Sequence, residues 1–385
     1  MREKKSIILF ALLNLDLNKG DSNHFRKLSE HLKKDFNLHI ISIGKENYSS
    51  NNIKIRIFDN VIFRILYWNI TVSYHFIYLR FFKNVRFIYS RPIGTVPVPF
   101  LIAKLLNYKM AFEINGIIAE NLSHKYLLHN LILKIYSFIF SKAVFISASK
   151  GYCIYINKVF KIKNNKFLKL TLGYDSVMLK DSIKSSLKVL NLKSKNYLLF
   201  IGNITEYQGL QYILEAINKN KKDLSKLNIH LIILGDGTYK QYLYNYVLKN
   251  KLTEFVTFKG YVSKSILKNY LSINAIGLSP FDKNRGYVGT ISGLKTYDYI
   301  FYKMPILTSK MDDASSFIKE NGFGESIQKF ENDEIFNLIK KMSTTEYRKS
   351  VSSSYNIKYT ELIEIYSWEN RFKKISNKIN DYVIK

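Results

Sequence analysis

Short apolar runs alternate with amphipathic stretches along most of the chain. Ser6 to Leu13, Leu38 to Ile43, Ile53 to Ile57 and Val85 to Ser90 are strand-length runs bounded by polar turns. Between the first two lies a polar loop, NLDLNKGDSN, then HFRKLSEHLKKDF, in which Phe25, Leu28 and Leu32 share one helical face. This strand–loop–helix–strand opening predicts a doubly wound sheet, whose ligands gather at the carboxyl ends of the strands. The alternation continues through PFLIAKLLNY as a helix, MAFEINGIIAE as strand and turn, residues 124–141 as an apolar helix, and AVFIS as a strand. DSIKSSLKVLNLKSK, residues 181–195, reads as a linker. Beyond it YLLFIGNITEYQGLQYILEAI restarts with strand, glycine turn and helix. NIHLIILGDGTYKQYLYNYV repeats that pattern, and VTFKGYV and AIGLSPF follow as strands. The expectation is an α/β chain of two doubly wound, Rossmann-like domains, 1–182 and 183–365, with an amphipathic helix over 366–385.

Arg285 to Ser309, RGYVGTISGLKTYDYIFYKMPILTS, holds the clearest candidate chemistry. Thr290, Ser292 and Gly293 offer cap chemistry before Leu294, and Leu294, Tyr297 and Phe301 recur at helical spacing. A glycine-bearing loop feeding a helix start presents free N–H groups and a positive dipole end, which suits a phosphate. Asp298, one turn in, has the reach to accept hydrogen bonds from a sugar or ribose hydroxyl. The plainer alternative is a helix start with an exposed aspartate.

Composition narrows the class. At 385 residues, 47% hydrophobic and 15% aromatic, the chain has the length and apolar content for two cores. Its one cysteine, Cys153, excludes an internal disulfide and fits a reducing cytoplasm. MREKKSIILFALLNL mimics a signal peptide but lacks a small-residue cleavage site, and reads as a first buried strand. The formal charge of +29 is uneven: residues 1–180 carry 28 Lys and Arg against 10 Asp and Glu. Such a field attracts an anionic membrane surface or a polyanion, unless it reflects only a lysine-rich coding bias. VIFRILYWNITVSYHFIYLRFF, residues 61–82, has the length of a membrane span, but Arg64, Asn69, His75 and Arg80 interrupt it. An amphipathic helix or helix pair is expected, either partly facing a membrane or simply packed.

In order along the chain these motifs resemble the GT-B glycosyltransferases, specifically the retaining family 4 enzymes. SGLKTYDYIFYKMPI is similar to their donor-site helix at Gly293, Leu294, Lys295, Tyr297, Tyr299 and Pro305, with Asp298 and Thr290 where two glutamates stand. The opening loop resembles the family's at Gly20 and His24, although a histidine at a helix start also serves as a cap or surface residue. A strand ending in Arg91 and the run from Glu113 through Asn115 and Gly116 to Glu120 match a signature of one branch. Arg91 and Glu113 then either meet the acceptor or form a buried pair holding loops together. Gly202, Asn203, Gln208 and Gly209 fall on the diphosphate-binding turn, where most members carry Arg and Lys at the places of Asn203 and Gln208. Gly235 and Gly237 match a Gly-x-Gly turn. Tyr261 and Val262 fall where backbone holds the nucleotide base, and Trp368 falls on a closing helix that returns to the first domain.

The resemblance implies two domains facing across a cleft, with a UDP- or GDP-type nucleotide-sugar as donor and a glycan or lipid-linked acceptor. It implies retention, no metal and no cofactor. Donor contacts would come from Gly202, Asn203, Gln208, Gly235, Gly237, Tyr261, Val262, Ile291, Ser292, Gly293, Leu294 and Asp298. Asn115, Thr290 and Lys295 would serve catalysis, and Gly20, His24, Arg91 and Glu113 the acceptor side. The basic, aromatic first domain suits peripheral contact with an anionic membrane, in the cytoplasm at the inner face of a bacterial plasma membrane, in surface-polysaccharide assembly. The departures at Thr290, Asn203 and Gln208 also allow a catalytically silent GT-B subunit. A polyanion-binding protein would cluster its cations with stacking aromatics; here they are spread along the chain, and nucleic acid is not an expected partner.

Overall fold

A computed structural model describes residues 4–17, 20–44, 51–91, 96–114, 126–147, 150–162, 166–170, 190, 192–193, 195–282, 294–312 and 314–384. The chain divides into two compact units, Met1–Gly173 with Trp368–Lys385, and Tyr174–Ser367.

The first unit opens with β1 (Ser6–Asn14), α1 (Gly20–Leu32), β2 (Asn37–Ile43) and β3 (Asn51–Ile55). Then come α2 (Val61–Phe82), β4 (Phe87–Ser90), α3 (Pro97–Leu105) and β5 (Lys109–Ile114). It continues with α4 (Tyr126–Phe140), β6 (Val144–Ser147), α5 (Lys150–Phe160) and β7 (Phe167–Lys169). The strands form one parallel sheet in the order β3-β2-β1-β4-β5-β6-β7. Alternation along β1 sends Ile8 and Phe10 to one core and Ile7, Leu9 and Ala11 to the other, so both sheet faces are covered. Phe76 of α2, Phe100 of α3 and Tyr136 of α4 pack on the first face. Phe25 and Leu28 of α1 cover the second, together with Phe372, Ile375 and Ile379 from the last helix.

The second unit contains β8 (Asn196–Ile201), a 3₁₀ turn over Glu206–Gln208, α6 (Leu210–Lys219), α7 (Lys221–Lys226) and β9 (Ile229–Leu234). Next are α8 (Lys240–Lys249), β10 (Val256–Gly260), α9 (Lys264–Leu271), β11 (Ile276–Ser279) and α10 (Leu294–Phe301). β12 (Ile306–Ser309), α11 (Ser315–Glu320), β13 (Gly324–Ile327), α12 (Asn332–Met342) and α13 (Thr345–Tyr366) complete it. Its parallel sheet runs β10-β9-β8-β11-β12-β13. The last helix, α14 (Trp368–Ile384), belongs to the first unit.

The expected α/β class and paired parallel sheets are what the chain adopts. Small departures have local causes. The third strand is Asn51–Ile55, earlier than the run Ile53–Ile57, because its register opposite β2 begins at His39↔Asn51. Residues 61–82 form one helix with apolar residues on both faces. Val72, Phe76 and Leu79 are buried, while Ile62, Leu66, Ile70 and Tyr74 are exposed. Among the described residues no helix is long and apolar enough to cross a membrane.

Candidate functional site

In the second unit the strand order reverses between β8 and β11, the place where doubly wound sheets open a ligand crevice at their carboxyl ends. Gly202 and Asn203 follow β8 and are exposed. Gly235, at the end of β9, has φ +129°, and a Cβ there would lie 1.9 Å from the Gly202 carbonyl oxygen. The two strand-end loops come this close only because Gly235 has no side chain. A Cβ on Gly237 would likewise meet the Ile204 carbonyl at 2.3 Å. Gly209, at φ +73°, presses the 3₁₀ turn onto the end of β11, its missing Cβ 1.8 Å from the Pro280 carbonyl oxygen. That contact carries Gln208 towards α10.

Lys295, on the first turn of α10, is 6% exposed. Its ammonium donates to Gln208 Oε1 and stands 4.1 Å from the ring centroid of Phe200 and 5.0 Å from that of Phe281. Two ring faces and an amide oxygen offset part of the water that this side chain gives up on burial. Asn203 and Gln208 carry no charge at the expected diphosphate turn, and Lys295 brings one to Gln208 from the neighbouring helix.

The rest of α10 is anchored to the sheet. Tyr299 is fully buried; its hydroxyl donates to the Leu199 carbonyl at 3.0 Å and accepts from the Ile201 N–H at 3.2 Å. Burial, with the Asp298 charge, raises that hydroxyl well above its ordinary pKa. Its ring occupies the space a Cβ on Gly277 would take, at 2.4 Å. Asp312, just after β12, is buried. It accepts from Ser279 Oγ at 2.8 Å, Thr296 Oγ1 at 3.1 Å and the Ala314 N–H at 2.9 Å. It ties α10 to β11 and to the turn before α11.

Asp298 is half-buried on α10, and its charge, after burial, helps raise Tyr302 to about 12. Tyr261 is 82% exposed just after β10, and Val262 is half-buried. The N–H of Gly235 bonds the Gly260 carbonyl at 2.7 Å, fastening that turn beside β9. Leu294 starts α10. Thr290, Ile291, Ser292 and Gly293 lie outside the described residues, as do Arg285, Asn115, Gly116 and Glu120.

Three of the acceptor-side candidates of the first unit, His24, Arg91 and Glu113, meet in one cluster. Gly20 begins α1. His24 Nε2 lies 2.8 Å from Glu113 Oε1, and Arg371 of α14 donates to the same oxygen at 2.9 Å. Tyr89 donates to Glu113 Oε2 at 3.1 Å, and Arg91 Nε stands 3.8 Å from it. Arg91 also pairs with Asp21 at 3.1 Å. The His24 ring packs against Trp368, 5.1 Å between centroids, so His24 is neither a surface residue nor a simple cap. Burial lowers its pKa despite the adjacent carboxylate. Burial alone would raise the Glu113 carboxyl; His24, Arg91 and Arg371 outweigh it and hold the carboxyl well below its ordinary value. Glu113 thus sits at the centre of a buried network that reaches α1, β4 and α14. Arg371 is the member the sequence did not single out. Its signal was an arginine on the apolar stripe of Trp368, Phe372, Ile375 and Ile379.

Among the described residues no group of three His, Cys, Asp or Glu side chains is placed to hold a metal ion.

Residues 182–358 match the family of glycosyl transferases group 1. Most of the second unit is thus similar to that family. No curated protein sequence matches the chain. Solved structures share the whole fold. A glycosyltransferase from Rickettsia africae superposes with a TM-score of 0.74 at 15% identity, covering 99% of each chain. WaaG, a glycosyltransferase involved in lipopolysaccharide biosynthesis, gives 0.71 at 14%, covering 97% of this chain and 99% of its own. Anabaena HepE in complex with UDP-glucose gives 0.72 at 10%, covering 98% and 99%. At such identities the likeness establishes the GT-B fold, two parallel sheets with interleaved helices.

Proposed function

We propose that this chain is a glycosyltransferase that moves a sugar from a UDP- or GDP-linked donor, bound by the second unit, to a glycan or lipid-linked acceptor bound by the first. The reading includes retention at the anomeric carbon and no requirement for a metal ion or cofactor. It places the chain in bacterial surface-polysaccharide assembly, in the cytoplasm at the inner face of the plasma membrane. The observation that carries it is Lys295. A buried ammonium at the switch point, next to the start of α10, is where a leaving diphosphate needs charge. Cleavage of the sugar–phosphate bond concentrates negative charge on the departing phosphate, and a preorganised cation in a partly dry site stabilises that charge strongly. The positive end of a helix dipole at its start favours a phosphate as well. Asp298, one turn further, has the chemistry to accept from a hydroxyl of the donor. Two structural neighbours support the assignment, one acting in lipopolysaccharide biosynthesis and one holding UDP-glucose.

Calorimetric titration with UDP- and GDP-sugars in the presence of EDTA tests the reading. Saturable binding in EDTA is the expected result. Binding that appears only with added Mg²⁺ or Mn²⁺ contradicts the metal-independent part, and no binding of any nucleotide sugar contradicts the whole.

A further inference from the structure

At the amino-terminal ends of β1, β4 and β5, the end of the first sheet away from its ligand loops, lies a cavity of about 550 Å³. Lys4, Lys5, Lys83, Arg86 and Lys109 line it, and among the described residues no acidic one does. Among the described residues none of the five is in an ion pair. The partners seen for three of them are neutral oxygens: Lys33 carbonyl for Lys4, Asn84 Oδ1 for Arg86 and Tyr382 carbonyl for Lys109. The concentration of charge follows from the local fold. α2 ends at Phe82, and Asn84 takes a left-handed conformation, φ +49°, so the chain reverses within three residues. Lys83 and Arg86 thereby face one space. α3 ends the same way, through Asn107 at φ +56°, and delivers Lys109 beside them. Asparagine tolerates that conformation better than other residues with a Cβ.

α2, which ends one residue before the cavity-lining Lys83, carries an uncovered apolar face. Tyr74, Tyr78 and Phe82 stack along it at successive i, i+4 positions, with centroids 6.3 and 5.2 Å apart. Ile70 is 69% exposed, Phe81 68% and Phe82 74%, and Leu105 at the end of α3 is exposed as well. Such a contiguous apolar face on a soluble surface marks an interaction site. Its occupant is set by the adjoining charge. A second copy of this chain, formally +29, would bring like charge against five cations. A nucleic acid would use the cations and leave the aliphatic face in water. A lipid leaflet with anionic headgroups meets both, since aromatic and aliphatic side chains enter the acyl boundary while cations hold phosphates.

We propose that this cavity is a binding site for the phosphodiester headgroup of an anionic lipid, with the Ile70–Phe82 face of α2 seated in the adjoining leaflet. The proposal rests on the membrane-facing part of the functional reading, and not on the donor site. It assigns the contact to one end of the first sheet, where the overall charge would spread it over the whole surface.

The test is co-sedimentation of the full chain with phosphatidylcholine vesicles, with and without phosphatidylglycerol. Wild type should bind the anionic vesicles only. Lys83→Glu/Arg86→Glu should lower the apparent affinity by at least about tenfold, because two cations at the surface are reversed. Lys222→Glu/Lys249→Glu on the second unit, an identical change in net charge, should lower it less than about threefold. Lys83→Gln/Arg86→Gln, which adds no charge, should show the same order of effects and covers a failure of the reversed variant to fold. Phe81→Ser/Phe82→Ser should bind at low salt but come off at high salt, having lost the apolar part. Equal losses from the two charge reversals would overturn the site. So would displacement by inorganic phosphate, but not by chloride of equal ionic strength, since the ligand would then be free phosphate. Nucleotide-sugar titration of the same variants reports separately on the donor site, so a failure here leaves the transferase reading intact, and the reverse holds too.

Discussion

Glu113 and Asp298 are both carboxylates that the sequence marks, yet their surroundings give them opposite work. Glu113 is fully buried among Arg371, His24, Tyr89 and Arg91. Glu113→Gln would take away the buried carboxylate that Arg371 donates to and Arg91 faces, and removing one member of such a network costs about 3–5 kcal/mol. Denaturant unfolding should show that loss; an acceptor-contacting role would leave the unfolding midpoint near wild type and depress turnover instead. Asp298 is only half-buried, on the helix that starts at the switch point. Asp298→Ala should weaken donor binding by about 1.5–3 kcal/mol, the range for a lost charge-assisted hydrogen bond, with unfolding unchanged. Normal donor affinity in that variant would make Asp298 a surface residue of the helix.

α10 shows which parts of an element the sequence discloses. Its position and register are legible, because Tyr297 and Phe301 recur at helical spacing and both are buried. Its anchoring is not. Nothing in the order of residues links Gly277 to Tyr299, and the pair only forms when β11 and α10 pack. Asp312 is hidden for the same reason, its partners Ser279 and Thr296 lying 33 and 16 residues away. α2 shows the converse limit. Its bounds are plain from length and apolarity, but which face meets the core is not, because both faces are apolar. In unit 1, Glu113, His24 and Arg91 are marked by the family motifs, whereas Arg371 lies 258 residues from Glu113 and is joined to it by the fold. Gly277→Ala tests the α10 anchor. The added methyl meets a fully buried ring, and overpacking of this kind costs about 1–3 kcal/mol. A lower denaturant midpoint together with weaker nucleotide binding is expected; an unchanged midpoint would show that α10 is not set by this contact.

At the scale of the whole molecule, the titrating groups predict where the fold fails in acid. Burial lowers His24, His31, His39, His75 and His230. Each therefore takes up a proton more readily unfolded than folded, so stability is full above the unfolded histidine pKa of about 6.5 and falls as pH drops below it. Glu113, held well below its ordinary value, adds a second loss below about pH 4.3, the unfolded carboxylate value. Thermal unfolding against pH should thus decline from about pH 6.5, before carboxylates titrate. A flat profile down to about pH 5 would contradict the buried-histidine account. The central claim is narrower: Lys295 supplies, from α10, the charge that contacts the donor diphosphate. Its most direct test is calorimetry on wild type and Lys295→Met with the tighter of UDP and GDP, and with the matching nucleoside. The account predicts a loss of about 1.5–3 kcal/mol for the diphosphate, as for a charge-assisted contact, and none for the nucleoside. Equal losses for both would mean that Lys295 only supports the local fold, and no loss for either would remove it from the site.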